Sequence, residues 1–199
     1  MNEATPKKYK PMAYQIIKGQ RTLPEGIITL DQAKMNSKID YDYEDALLQM
    51  YVDAISDEFE NYTGSIILER EVTIFITNWE DKIYLPITPV QEVLAITYLN
   101  EEGDEVPVDA ANFKFFPYED GNRPKLAFRF KNFPSLVSID EEDFRIEIKV
   151  KAGFPMDAIP ADIKKAALLS FSNVETFRED MPIKYNRTIY SLLGSYKKY

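Results

Sequence analysis

Three carboxylates, Asp53, Asp57 and Glu60, are spaced three to four residues apart inside a helix-forming run. They are the nearest this chain comes to a catalytic constellation. That spacing puts them on one helical face. Acids so placed could mimic a pair of catalytic carboxylates acting as general acid and base. A second acidic run, Asp140–Asp143, offers oxygen ligands for a hard cation. Trp79 and the pair Phe115–Phe116 offer flat surfaces on which a ligand could stack. Each has a plainer reading. The helical acids have no histidine or nucleophile beside them and read as a solvated face. The run 140–143 lacks the spaced Asp/Asn and Gly of a calcium loop and reads as a turn between strands. Aromatics in a β-forming region read as core.

What is missing narrows the chemistry further. There is no histidine and no cysteine. Ser–His and Cys–His catalysis, zinc sites with those ligands and disulfide frameworks are all excluded. The seven glycines form neither a G-x-x-x-x-G-K nor a G-x-G-x-x-G loop, the arrangements that cradle phosphates. No catalytic, cofactor-binding or metal-binding residue is assigned and no cofactor is expected. A carboxylate-based enzyme with its pair in the β-forming region stays as an alternative.

The charge is uneven. The net charge of −9 divides into +4 over residues 1–21, +4 over residues 181–199 and −17 over residues 22–180. An acidic body argues against a broad nucleic-acid face, and two basic ends suit acidic surfaces on neighbours. No apolar run approaches the roughly 20 residues that span a bilayer, so no membrane partner is expected. The first ten residues show no apolar segment behind their charges, which reads as no secretory signal.

These residues must be positioned by a pattern that switches period twice. Thr29-Leu-Asp-Gln32 is a capping box opening a short helix to about Ser37. A longer helix follows, with Asp42 as its expected N-cap and Gly64 as its stop. Its expected apolar face is Ala46, Leu47, Met50, Tyr51, Ala54, Ile55, Phe59 and Tyr62. Strands are expected over 66–76, 82–85, 93–99, 105–108, 113–116, 125–130 and 144–151. Pro160 and Asp162 open a last long helix with a stripe of Ile163, Ala166, Ala167, Ser170, Phe171, Val174 and Phe177.

The fold class is therefore α+β. We expect a helical bundle, its N-terminal and C-terminal helices packed together, with an inserted antiparallel β-sheet or small barrel. The expected parts are an N-terminal arm (1–28), a helical core (29–64 plus 152–180), a β-rich insert (65–151) and a C-terminal docking segment (181–199). The arm is expected to order only when bound.

The order of short motifs resembles the head–tail connector (adaptor) proteins of tailed bacteriophages. They are Thr29-Leu-Asp-Gln-Ala-Lys34, Asn61-Tyr-Thr-Gly64, Leu85-Pro86 with Pro89-Val90 and Val93, Ile96-Thr-Tyr-Leu99, Ala152-Gly-Phe154, Ile159-Pro-Ala-Asp-Ile-Lys164, and Leu192, Leu193, Tyr196 and Lys197. The resemblance covers about residues 29–199.

The resemblance implies a structural virion protein and not an enzyme. It implies a ring of identical copies, twelve in number, beneath the portal at the head–tail interface. Such a ring extends the DNA channel and passes double-stranded DNA without specific binding. Its partners are itself, the portal protein and a downstream stopper or tail protein, and it is made in the host bacterial cytoplasm. Lys184, Arg187, Leu192, Leu193 and Tyr196 are the portal-docking candidates. Asp53, Asp57 and Glu60 are the candidate acidic face toward a neighbour or the channel. Another tail-side component, a stopper or tail-completion protein, is the structural alternative.

Overall fold

The computed structural model describes residues 13–22, 26–117, 123–138, 143–177 and 186–197. Its elements in chain order are β1 (Tyr14–Arg21), α1 (Leu30–Ser37), α2 (Asp45–Thr63), β2 (Arg70–Ile76), β3 (Lys82–Tyr84), β4 (Val90–Leu99), β5 (Glu105–Pro107), β6 (Phe113–Phe116), β7 (Lys125–Phe128), β8 (Ile146–Ala152), α3 (Ala161–Thr176) and α4 (Arg187–Leu193). Helices α1 and α2 precede the block from β2 to β8, α3 and α4 follow it, and every paired strand is antiparallel, so the class is mixed α and β.

Local chemistry sets the helix ends. The Thr29 hydroxyl accepts from the Gln32 N–H at 3.2 Å and the Gln32 side chain accepts from the Thr29 N–H at 3.1 Å, closing the capping box. Gly64 ends α2 in the left-handed region at φ 68°, where a side chain would be strained. Asp42 is not the N-cap expected for α2. The helix starts two residues later, with Glu44 at the N-cap, and Asp42 instead accepts from the Lys34 ammonium together with Asp45. Those two hydrogen bonds, Asp42 first, raise the Lys34 pKa and tie α1 to the start of α2.

The strands form two sheets, in the orders β1-β2-β8-β4-β5 and β3-β7-β6. Alternate side chains of β2 and β8 (Val72, Ile74, Ile76; Ile146, Ile148, Val150) are buried, while Lys149 and its neighbours Glu147 and Lys151 face the other way. Ile83 and Leu126 of the smaller sheet join the same apolar core. A second core unites the helices: Leu48, Val52, Ile55 and Phe59 of α2 meet Ile163, Ala166, Ala167 and Phe171 of α3 and Ile189 and Leu193 of α4.

The stretch expected to be an arm contains a strand. Tyr14–Arg21 pairs antiparallel with β2, Tyr14 opposite Ile76 and Lys18 opposite Val72. Ile27 and Ile28 are buried in the helical core. Alternation at Tyr14, Ile16 and Lys18 is too mixed to signal a strand. It is the open edge of β2 that recruits the backbone.

The two cores meet at one polar junction. Glu60, 5% exposed, accepts from the backbone N–H of Ile67 at 2.9 Å and of Leu68 at 3.0 Å, and from Arg70 at 2.7 Å. Arg70 also donates to the Leu68 carbonyl at 3.2 Å. The returning chain closes beside it, where the Phe154 N–H donates to the Ile67 carbonyl at 2.8 Å. Gly153 allows this approach: it has φ 96°, and a Cβ there would sit 2.7 Å from the Leu68 backbone. Glu60 is therefore not a member of an exposed acidic face, as its spacing suggested. Burial with three polar partners makes it structural.

Removing one partner strands the other charge in the interior. Glu60→Ala should lose about 3–5 kcal/mol of unfolding free energy, read by urea denaturation. A loss within about 0.5 kcal/mol, the ordinary surface value, would remove Glu60 from this role.

Candidate functional site

The three helical carboxylates do not make a site together. Asp53 is half-buried and accepts from Gln49 at 3.2 Å. Asp57 is exposed and pairs with Arg21 at the end of β1. Glu60 serves the buried junction. Each has a different partner, so no pair faces a common cleft. Asp53 and Asp57 remain as the surface acids of α2.

The face of α2 that packs inward is also shifted from the expected one. Leu48, Val52, Ile55, Ser56, Phe59 and Thr63 are buried. Of the expected stripe only Ile55 and Phe59 are, with Tyr51 and Tyr62 half-buried. Ala46, Leu47, Met50 and Ala54 are exposed, Met50 at 66%. The helix carries apolar residues on two sides, and periodicity alone cannot say which side meets α3. The outward row Leu47, Met50 and Ala54 lies opposite Leu48, Val52 and Phe59 at 3.6 residues per turn. Tyr43, exposed and stacked on Tyr41 with ring centroids 4.4 Å apart, extends it. Asp53 and Asp57 flank it.

A second exposed surface is the outer side of β3-β7-β6. The pairing Lys82↔Ala127↔Lys114 and Tyr84↔Lys125↔Phe116 brings those six side chains to one face. Ile83 and Leu126 point the other way, into the core. The Lys114 and Lys125 ammoniums stand 4.9 and 5.3 Å from the Phe116 ring centroid. Sequence reasoning missed this face. Its signal was the alternation Lys82-Ile-Tyr84, Lys114-Phe-Phe116 and Lys125-Leu-Ala127, visible only once the three strands are known to be neighbours. The suggested stacking platform divides. Phe115 packs on the β core and Phe116 lies under the two lysines. Trp79 joins Tyr98, Phe128, Phe130 and Phe133 in an aromatic cluster.

The C-terminal candidates are likewise separated. Lys184 lies outside the described residues. Arg187 is exposed, and Leu192 and Tyr196 are half-buried. Leu193 is fully buried in the helical core and is an anchor for α4, not a docking residue. Its alternation with Leu192 hid which leucine faces inward. Tyr190 donates to Glu58 at 2.9 Å, and Ser65 donates to the Tyr196 carbonyl at 2.9 Å, so α4 is fastened along α2 and the start of the β region. Burial raises the Tyr196 pKa, with Asp162 adding to it.

The acidic run 140–143 falls mostly outside the described residues. Among the described residues no group of three or more acids could hold a metal ion, and no helix is long and apolar enough to cross a membrane. A cleft of about 580 Å³ opens between the two cores, lined by Ser65, Ile67, Leu85, Thr88, Pro89 and Tyr196, with no carboxylate in its wall among the described residues.

The reassigned face of α2 predicts opposite outcomes for adjacent residues. Leu48→Ala should cost about 2–5 kcal/mol in urea denaturation. Met50→Ala should stay within about 0.5 kcal/mol of the parent. The reverse order would restore the face expected from periodicity.

No curated protein matches the chain. Its fold is shared with solved structures. One is described as the neck of an empty GTA particle computed with C6 symmetry, with a TM-score of 0.75 and 23% identity, covering 93% of this chain and 96% of that one. A second, the virion of a native gene transfer agent (GTA) particle, gives 0.73 and 23% over 92% and 95%. A third, the neck of a native GTA particle computed with C12 symmetry, gives 0.66 and 24% over 92% and 96%. The family model described as phage gp6-like head-tail connector protein matches residues 27–115, which run from the buried Ile27 through β6. The family so matched over residues 27–115 is the one whose motif order the sequence resembles.

Proposed function

We propose that the protein is a structural head–tail adaptor that joins copies of itself into a ring beneath the portal of a virion. The observation that carries this reading is the family match over residues 27–115. A fold shared along more than nine-tenths of the chain with neck structures supports it. Twelve copies is the number the resemblance carries, and it agrees with a neck described with C12 symmetry. The ring sits at the head–tail junction, built from protein made in the bacterial cytoplasm, and hands on to a stopper or tail protein.

The surfaces suit assembly better than turnover. The exposed carboxylates of α2 have no partner acid in a shared cleft, whereas the chain presents apolar and charged faces of the kind that pack against other proteins. An acidic ring wall would repel a passing duplex, which then slides without specific binding. Asp53 and Asp57 face the next copy or that channel.

Arg187, Leu192 and Tyr196, with Lys184, dock on the portal. Removing residues 183–199 is a poor test of this, because it would also strip Ile189 and Leu193 from the helical core. Point variants separate the two roles.

Mixing the purified protein with the portal ring of the same phage should add a symmetric collar visible by negative-stain electron microscopy. No added density on a portal competent for its other partners would shift the reading to a tail-side component. Arg187→Glu combined with Lys184→Glu should weaken collar formation about tenfold or more while leaving the folded monomer intact by circular dichroism. Unchanged binding by a folded variant would sink the docking assignment.

A further inference from the structure

Two exposed faces of opposite charge stand over the two different cores. One is the outer side of α2, with Tyr43, Leu47, Met50 and Ala54 flanked by Asp53 and Asp57. That helix has no basic residue; Asp45 pairs with Lys34, Asp57 with Arg21 and the buried Glu60 with Arg70, and among the described residues Asp53 and Glu58 are the acids without an ion-pair partner. The other is the outer side of β3-β7-β6, with Lys82, Lys114 and Lys125 around Tyr84 and Phe116. Among the described residues no carboxylate pairs with these three lysines. A single surface lysine is ordinary. Three on one small sheet face, with two aromatic rings and no paired acid among the described residues, are a concentrated positive patch in a chain of net charge −9.

We propose that the lysine–aromatic face of β3-β7-β6 on one copy docks on the acid-flanked apolar face of α2 on the next copy. This is the head-to-tail contact that closes the ring, and it rests on the ring reading above. Charge and apolar content match together. Asp53 and Asp57 meet the lysines, and Tyr84, 56% exposed, gains the apolar cover that Met50 and Leu47 also lack. Pairing either face with itself would set like charges together, so the contact is between unlike faces. A contact between unlike faces propagates from copy to copy until the ring closes.

Duplex DNA is the other polyanion the lysines could meet. Its phosphates would answer the lysines. A paired duplex keeps its base faces stacked inside, however, and so offers nothing to Tyr84 or to the row on α2. The neighbouring copy satisfies both faces at once.

The absence of cysteine in the sequence allows a clean test. Met50→Cys and Tyr84→Cys, both at exposed positions, are assembled on the portal ring and treated with a short bismaleimide. The double variant should give a covalent ladder reaching the ring size. Each single variant should stay monomeric, and an equimolar mixture of the two singles should stop at dimers. Rings seen by negative stain without a ladder overturn this contact and leave the ring reading standing. Cross-linked dimers from either single variant alone show same-face pairing and also overturn it. If the parent protein forms no ring on the portal, the ring reading falls and takes this contact with it. Lys114→Glu with Lys125→Glu should lower ring yield about tenfold, and adding Asp53→Lys should recover part of it. If those lysine variants instead weaken binding to a short DNA duplex with ring yield unchanged, DNA is the partner and the proposal fails.

Discussion

The Glu60–Arg70 pair sits where a helical core and a β core must be joined by a chain that leaves one and later returns to it. The way out runs from Gly64 to Arg70 and the way back from Ala152 to Phe154. Both segments bring backbone N–H groups into a buried place, and a buried donor without a partner is costly. One carboxylate answers two of these donors and the guanidinium besides, while the guanidinium returns a bond to the Leu68 carbonyl. The net value of such a pair over an apolar replacement is small, because desolvation offsets attraction. Its consequence is geometric. It fixes where β2 begins relative to the end of α2, and every later strand inherits that position.

The sheets follow from this start. β8 lies between β2 and β4, so the last strand of the β region runs back to the place where the first began. The parallel bridge between Leu68 and Phe154 fastens the two segments together. The smaller sheet then has one face for the shared core, filled by Ile83 and Leu126, and its other face is left for solvent or a partner. α4 performs the same service at the far end of the helical core, seating Ile189 and Leu193, with Leu192 packed at the margin and Arg187 left outward.

The polar groups of this chain divide between its interior and its outer faces. Here the most deeply buried charges are joined to each other and to backbone amides, which stiffens a scaffold. The remaining acids and lysines are spread over outer faces. Surface charges contribute little to folding, since solvent screens them. They matter for which surfaces attract and which repel, and so for the direction in which identical copies stack.

The sequence by itself determined whatever depends on neighbours along the chain. The capping box at Thr29, the stop at Gly64, the long helices, the alternation of β8 and seven of the eight strands were legible because caps, turns and period are local. So was the lack of histidine, cysteine and phosphate loops, which left no familiar chemistry to assign. Tertiary structure decided which face of each element is inside. α2 is apolar on two sides, and only the position of α3 selected Leu48 and Val52 over Leu47 and Met50. Glu60 looked like Asp53 and Asp57 until Arg70 and two amides, distant along the strand path, drew it inward. β1 exists because β2 offered an edge, and Leu193 is core because α4 folds back. In each case the deciding partner lies on a different element, outside the period of the helix or strand itself, so its burial and pairing energies leave no trace in the local pattern.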